Sequence, residues 1–200
     1  MSDTRWDPLF EDLEQQFTAE REARHGQLSA ETERVRVSRL SLRDRLVAVG
    51  SGARVVVDDC AGGTHRLSVE AVGADWMAGA EEGVPGLLVL RLGAIDGLVF
   101  EADDRRRSLG EHTEDPLRAR MGIGFVLRAL ARRRAAVTLG LLRGGRVAGT
   151  PTCAGADHVD IAIHDAGAAP RGSDVDRVRT ITFGAISWVR TTSRRDVGTL

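Results

Sequence analysis

The stretch VGADWM at residues 72–77 is matched 82 positions later by CAGADHV at residues 153–159. In both places Gly-Ala-Asp lies between runs in which apolar residues recur at every second position, a spacing typical of β strands. The turn glycines Gly62-Gly63 and Gly144-Gly145 keep the same offset of 82. Shared features in the same order predict an internal duplication.

Each copy has the pattern of a helix followed by five short strands. In the first copy the strand segments are ARVVVD, THRLSVEAV, DWMAGA and LLVLRLGAIDGLVF, the last bent into two at Gly93. In the second copy they are AAVTLGLL, RVAGTPTC, DHVDIAIHD and VRTITFGAISWVRT. Gly93-Ala94-Ile95 matches Gly184-Ala185-Ile186 at an offset of 91, so the second copy contains nine more residues.

The beginning of the chain predicts a helix outside the duplication. WDPLFEDLEQQFTAERE places Trp6, Phe10, Leu13 and Phe17 on one face at steps of three and four. This stripe either packs on the β modules or docks a partner protein, and the pattern favours neither. Gly26 and Ser29 interrupt the helical pattern, which resumes over residues 29–49. Because the stripe lies before this break, its four residues are candidate partner-binding residues.

Charge is distributed unevenly along a chain whose net charge is only −1. All 28 basic residues are arginine. Residues 51–119 carry 7 arginines and 13 acidic residues (7 − 13 = −6), whereas residues 120–195 carry 13 and 5 (13 − 5 = +8). Such a basic segment attracts nucleic acid, or else the acidic segment of its own or a neighbouring chain.

The composition predicts a folded protein of the cytoplasm. Hydrophobic residues make up 42% of the chain, enough to form a core. Apolar runs such as GLLVL are too short to cross a bilayer, and the chain does not open with a secretory pattern. Cys60 and Cys153 lack metal-ligand spacing, so we expect both to be reduced thiols.

Two stretches of the second copy resemble the Hfq family of bacterial Sm-like RNA chaperones. FVLRALARRRAAVTLGLLRGGRVAG at residues 125–149 has the family's helix, arginine-rich helix end, first strand and glycine turn, and ITFGAISWV at 181–189 is similar to its closing strands. The resemblance implies an Sm-like fold, a small open barrel of five bent strands after a helix, and RNA binding. The family's Lys-His pair, which lines a uridine pocket, is replaced by Phe183-Gly184.

The resemblance places an arginine rim at Arg132, Arg133 and Arg134. Three guanidinium groups there suit successive phosphates, and Arg143 and Arg146 beside the next glycine turn would extend the surface. The alternative is that cations simply favour a helix C-terminus, in a chain whose only strong cation is arginine. A second run of three, at residues 105–107, follows EADD, and we expect it to be neutralised locally.

Other patterns give no catalytic or metal site. His158, Asp160 and His164 fall on one side of a strand, but the two histidines are six residues apart and lack a third strong ligand. The serines and cysteines form no nucleophile motif, and the glycine pairs lack the lysine of a phosphate-binding loop. We therefore expect a non-catalytic protein without metal or cofactor.

Together these patterns predict a mainly β protein with helices, of the α+β class, built from two tandem Sm-like five-stranded bent barrels, each preceded by a helix. The predicted parts are a helical arm (1–34), a first Sm-like module (35–100), a charged linker (101–119) and a basic second Sm-like module (120–195). We expect the barrels to pair edge to edge, within the chain or as a homo-oligomer. The predicted function is binding of RNA or DNA by the second module; the alternative is an assembly scaffold that binds no nucleic acid.

Overall fold

The computed structural model describes residues 7–113, 115–163 and 177–193, and in the first helix it describes side chains at positions 16–18, 20–22 and 24–38. The chain divides into two compact units, residues 1–40 and residues 41–200. The described part of the first unit contains helix α1 (Asp7–Ser38). We call the second the sheet unit.

The sheet unit contains three helices and ten strands among its described residues. In chain order they are α2 (Leu42–Val49), β1 (Arg54–Asp59), β2 (Thr64–Val72), β3 (Trp76–Glu81), β4 (Leu88–Arg91), β5 (Ile95–Phe100), α3 (Ala102–Arg107), α4 (Ile123–Arg133), β6 (Val137–Leu141), β7 (Arg146–Ala154), β8 (His158–Ile163), β9 (Val178–Thr182) and β10 (Ile186–Thr191). Short 3₁₀ turns at Leu92–Ala94, Arg118–Arg120 and Phe183–Ala185 precede β5, α4 and β10. No helix in these ranges is both long and apolar enough to cross a membrane.

Helix α1 continues through Gly26 and Ser29, where the sequence pattern predicted an interruption. A single glycine costs a helix about 1 kcal/mol, which is small for an element of 32 residues. Near its end Glu31 pairs with Arg34 and Glu33 with Arg36, and the hydrogen bond from Arg36 lowers the pKa of Glu33. The break between the first two helices therefore lies at residues 39–41, and not at Gly26 and Ser29.

Helix α2 begins at a capping box. The backbone N–H of Asp44 donates to the Ser41 hydroxyl at 3.1 Å, and the N–H of Ser41 donates to the Asp44 carboxylate at 2.9 Å. Hydrogen bonds from Ser41 lower the pKa of Asp44. These reciprocal bonds set where the sheet unit's first helix starts.

All ten strands form a single sheet in the order β5-β1-β2-β3-β4-β10-β6-β7-β8-β9. The prediction of two separate five-stranded barrels is therefore wrong. β4 of the first half pairs antiparallel with β10 of the second, with Val89 opposite Val189, so the halves join into one sheet. We call this β4–β10 pairing the seam.

The same strand order and register nevertheless occur twice within the sheet. Val57 lies opposite Leu98 in the first half as Leu139 lies opposite Val189 in the second. The β2–β3 ladder shifts register between Val69 and Ala71, and the β7–β8 ladder shifts 82 residues later between Pro151 and Cys153. A bulge at corresponding places bends both halves alike.

Two hydrophobic cores lie on opposite faces of the sheet and share its central strands. Helix α2 covers one face, where it packs near Met77, Leu90 and Trp188. Helix α4 covers the other, together with Trp76 and Val89. Strands β3, β4 and β10 are buried on both faces, which explains why LLVL and ISWV lack alternating polar residues.

The segment predicted as a charged linker packs on the first half instead. Residues 102–107 form α3, and the Arg54 N–H donates to the buried Asp104 carboxylate at 3.2 Å. The Arg45 guanidinium donates to the Ser108 hydroxyl, which is fully buried. Arg106 and Arg107 pair with Asp103 and Asp104, so this arginine run is largely neutralised by its neighbours.

The repeated Gly-Ala-Asp is explained by ring packing. A Cβ on Gly73 would lie 2.3 Å from the Trp76 ring, and one on Gly155 would lie 2.6 Å from the His158 ring. The Asp75 carboxylate accepts from the Ile123 N–H at 2.7 Å and so caps α4. Glycine is therefore required at both positions, because a side chain there would collide with the ring.

We expect Gly73→Ala to destabilise the sheet unit by about 2 kcal/mol or more, because the ring of Trp76 is fully buried and has no room to move. Gly93→Ala is the matched control, since its new Cβ meets nothing within 4 Å. Urea unfolding followed by circular dichroism measures both changes. Equal stability of the two variants would contradict this account.

A buried charged network crosses the seam. The Nε2 and Nδ1 atoms of His65 each lie 3.0 Å from a carboxylate oxygen, on Asp59 and Glu81 respectively. Because an ionised carboxylate only accepts hydrogen bonds, each contact is a hydrogen bond where the ring nitrogen carries a proton. The other oxygen of Glu81 accepts from Arg190 on β10, so the network links the first half to the second.

Both acids of this network have lowered pKa values. Burial raises the pKa of Glu81, but hydrogen bonds from Arg190 and His65 outweigh it. Burial likewise raises the pKa of Asp59, but the hydrogen bonds from His65 and from the N–H groups of Gly63 and Ala61 outweigh it, so the pKa is lowered overall. Since the folded chain then binds fewer protons than the unfolded chain, stability is present above the ordinary carboxyl range and falls as pH drops through it.

We expect Glu81→Gln to lower the free energy of unfolding at neutral pH by about 2 kcal/mol, the usual size for hydrogen bonds to charged groups. The variant should also lose less stability than the parent chain between about pH 5 and pH 3. Glu82→Gln, at an exposed neighbour, is the control and should change neither. Urea titrations at several pH values provide the measurement; parallel pH curves for Glu81→Gln and the parent would exclude the network as the cause.

Candidate nucleic-acid interface

The described second half is strongly basic. Residues 120–163 and 177–193 contain ten arginines and two aspartates (10 − 2 = +8). Residues 41–113 and 115–119 contain nine arginines and thirteen acidic residues (9 − 13 = −4). The two ends of one sheet therefore have opposite charge.

Three exposed arginines end helix α4. The helix begins at the carboxylate of Asp75 and packs its apolar side on the sheet through residues such as Val126 and Leu130. Its last turn contains Arg132 and Arg133, and Arg134 is the C-cap. All three are exposed. We call Arg132, Arg133 and Arg134 the arginine cap.

Arg134 has a left-handed backbone, with φ 49° and ψ 40°. It is the one residue other than glycine with positive φ among those described. Helix ends in this conformation usually carry glycine, because a side chain there costs about 1–2 kcal/mol. At the corresponding position 82 residues earlier, Gly52 has φ 88°. The second half thus has an arginine where the first half has the residue that the backbone favours.

Two further arginines, which the sequence reasoning missed, lie at the same end of the neighbouring strands as the arginine cap. Val137 pairs with Gly149, Gly149 pairs with Ile163, and the Ile163 N–H donates to the Arg177 carbonyl at 3.0 Å. Three strand spacings separate Val137 from Arg177, about 14 Å. Arg179 follows on edge strand β9 and is exposed, as is Arg177. Strand pairing brings these residues near the arginine cap, and no local pattern indicates it.

Arg143 and Arg146 lie at the other end of β6. Four residue steps along this strand span about 13 Å, so these side chains do not continue the arginine cap. The Arg146 guanidinium lies over the Trp188 ring at 5.7 Å, next to Arg190 at the same distance. The predicted set of five nucleic-acid residues is therefore divided into two groups.

Candidate chemical groups elsewhere are held by local contacts. The Nδ1 atom of His158 lies 2.8 Å from the Asp157 carboxylate, and the Thr180 hydroxyl donates to Asp160 at 2.6 Å. His164 lies outside the described residues. A hydrogen bond to Asp96 raises the pKa of the Cys60 thiol, which disfavours the reactive thiolate. No group of three or more metal-ligating side chains occurs in the ranges that the structure describes.

The predicted partner-binding stripe is described only in part. Trp6 lies outside the described residues, as do the side chains of Phe10 and Leu13. Phe17 is 61% exposed and shares one side of α1 with Leu28, also 61% exposed, given 100° per residue. Partner binding by α1 stays a prediction.

No family model, curated protein or solved structure matches this chain. The proposed Hfq-like relationship therefore has no support beyond the residues that suggested it.

We expect Arg134→Gly to leave the stability of the sheet unit unchanged or raise it by about 1 kcal/mol, because glycine adopts positive φ without strain. Arg132→Gly, inside the same helical turn, should lower stability by about 1 kcal/mol. Urea unfolding separates the two. If Arg134→Gly were as destabilising as Arg132→Gly, contacts of the Arg134 side chain would be holding the helix end.

Proposed function

We propose that the protein binds nucleic acid without catalysis, by phosphate contacts at the arginine cap. The observation that carries this proposal is Arg134, whose charged side chain occupies a backbone position that favours glycine. This choice carries a backbone cost, and a stored cost of this kind is typical of functional positions.

Charge supports the same proposal. Arg132 and Arg134 extend from the end of a helix whose C-terminus already attracts cations, so part of their charge is used locally. The net charge of the whole second half, +8 in the described residues, produces a positive field that draws polyanions towards this half of the sheet. Guanidinium groups bind phosphate oxygens with forked hydrogen bonds.

Sequence-specific recognition is not part of the proposal. Reading a base requires side chains that reach base edges or aromatic rings on which bases stack. Trp76 is buried and donates to the Met121 carbonyl, and Trp188 is 6% exposed beneath two arginines. Contacts limited to phosphates bind RNA and DNA of many sequences.

Fluorescence anisotropy with labelled single-stranded RNA and duplex DNA tests the proposal. We expect the double variant Arg132→Ala, Arg134→Gly to bind about tenfold more weakly at low salt and to show a salt slope smaller by about 1.5 to 2. The matched control is Arg105→Ala, Arg106→Ala, which also removes two arginines from a run of three but lies in the acidic half.

Two results would overturn the proposal. One is the absence of binding by the parent chain at low salt to either nucleic acid. The other is an equal loss of affinity in both double variants, because that would reflect net charge alone and give the arginine cap no special role. Urea unfolding of each variant, measured in parallel, excludes loss of folding as the cause.

A further inference from the structure

The seam inside the chain shows how one half of this sheet pairs with another. At the seam Leu88, Val89 and Leu90 of β4 lie opposite Arg190, Val189 and Trp188 of β10. β4 is the fourth strand of the first half, and β10 is the fifth strand of the second. The contact is thus directional, from a fourth strand to a fifth.

The two outer strands of the sheet are the remaining fourth and fifth strands. Among the described residues β9 pairs only with β8, and β5 pairs only with β1. Each has an exposed apolar side chain, Val178 at 52% and Val99 at 60%. The two strands are the first and the last in the strand order, and they do not pair with each other within the chain. Unpaired strand edges of this kind favour pairing with another strand.

We propose that β9 of one chain pairs antiparallel with β5 of a second copy and so forms the seam again between chains. The offset of 91 residues, which relates β5 to β10 and β4 to β9, gives the register. Leu98 of one chain lies opposite Thr180 of the other. Val99 lies opposite Arg179, and Gly97 lies opposite Ile181.

Charge favours this pairing and its direction. Continuing the register past the strand ends places Glu101, which is extended with φ −61° and ψ 158°, opposite Arg177. Both residues are exposed. The net charges of the surrounding halves have the same signs: in the described residues the half that contains β5 has −4 and the half that contains β9 has +8. Two β5 edges or two β9 edges would bring like charges together.

The contact between chains is weaker than the internal seam. The counterpart of Trp188 at the outer edge is Gly97, which buries no ring. The ion pair of Glu81 with Arg190 also has no counterpart, because the corresponding residues are Ile163 and Val99. The association is therefore concentration-dependent, and repeated addition in one direction extends to closed rings or to filaments. It does not depend on the nucleic-acid proposal.

Sedimentation velocity of the nuclease-treated full chain over a wide range of concentrations tests the proposal. We expect self-association, weakened about tenfold by Val99→Arg, because two guanidinium groups then face each other across the strands. Adding Arg179→Glu to Val99→Arg should restore it through an opposite-charge pair. Val99 is 60% exposed, so the fold tolerates the change, and circular dichroism checks this.

Cysteine crosslinking tests the register. In a background with Cys60→Ser and Cys153→Ser, one chain carrying Val99→Cys is mixed with another carrying Arg179→Cys. A disulfide-linked dimer is expected on mild oxidation. The control mixture of Val99→Cys with Thr182→Cys is out of register by about 10 Å and should give little product.

A chain that sediments as a monomer at every concentration would overturn the proposal. Self-association that persists unchanged in Val99→Arg would also overturn it. If Phe17→Glu abolished that association instead, the contact between chains would be assigned to helix α1. Efficient crosslinking in the control mixture but not in the first would reject the register. None of these results bears on nucleic-acid binding, which the anisotropy experiment tests separately.

Discussion

The seam is the contact on which the rest of the sheet unit depends. Strands β3, β4 and β10 are apolar on both faces, so each face needs its own cover. Helix α2 supplies one cover and α4 the other, and these helices belong to different halves. Trp188 of the second half packs in the core beside α2, while Trp76 of the first half packs in the core beside α4. Neither half buries its own apolar residues without the other.

The seam also uses part of the charge asymmetry that the sequence shows. Arg190 of the basic half pairs with Glu81 of the acidic half, and Glu81 in turn holds His65. Arg91 crosses in the other direction and donates to the Phe183 carbonyl at 2.9 Å. Acidic and basic halves therefore attract each other within one chain. Only the charge beyond this contact is available to an external partner.

The sequence predicted the strands, the turn glycines and the duplication, because spacing and turn chemistry are local properties. It did not predict that the two copies share one sheet, since pairing between distant strands leaves no local pattern. A weaker signal was present: LLVL and ISWV lack the alternation of their neighbours, and such runs indicate strands buried on both faces. The break predicted in α1 failed for a simpler reason, because one glycine is a weak breaker in a long helix. At the candidate site, local reasoning identified the run at 132–134, whereas only strand pairing places Arg177 and Arg179 near it.

The comparison of the two halves separates structural from functional differences. Trp76 in the first half corresponds to His158 in the second. Each ring lies over a glycine three residues earlier, so the same local packing accommodates either ring. Gly52 and Arg134 correspond in a different way, because both have a positive φ and only glycine adopts that conformation without strain. A difference between the halves that local packing accommodates needs no functional explanation. One that carries a backbone cost at an exposed position is typical of functional positions, and it supports the proposed polyanion partner, which three adjacent guanidinium groups fit.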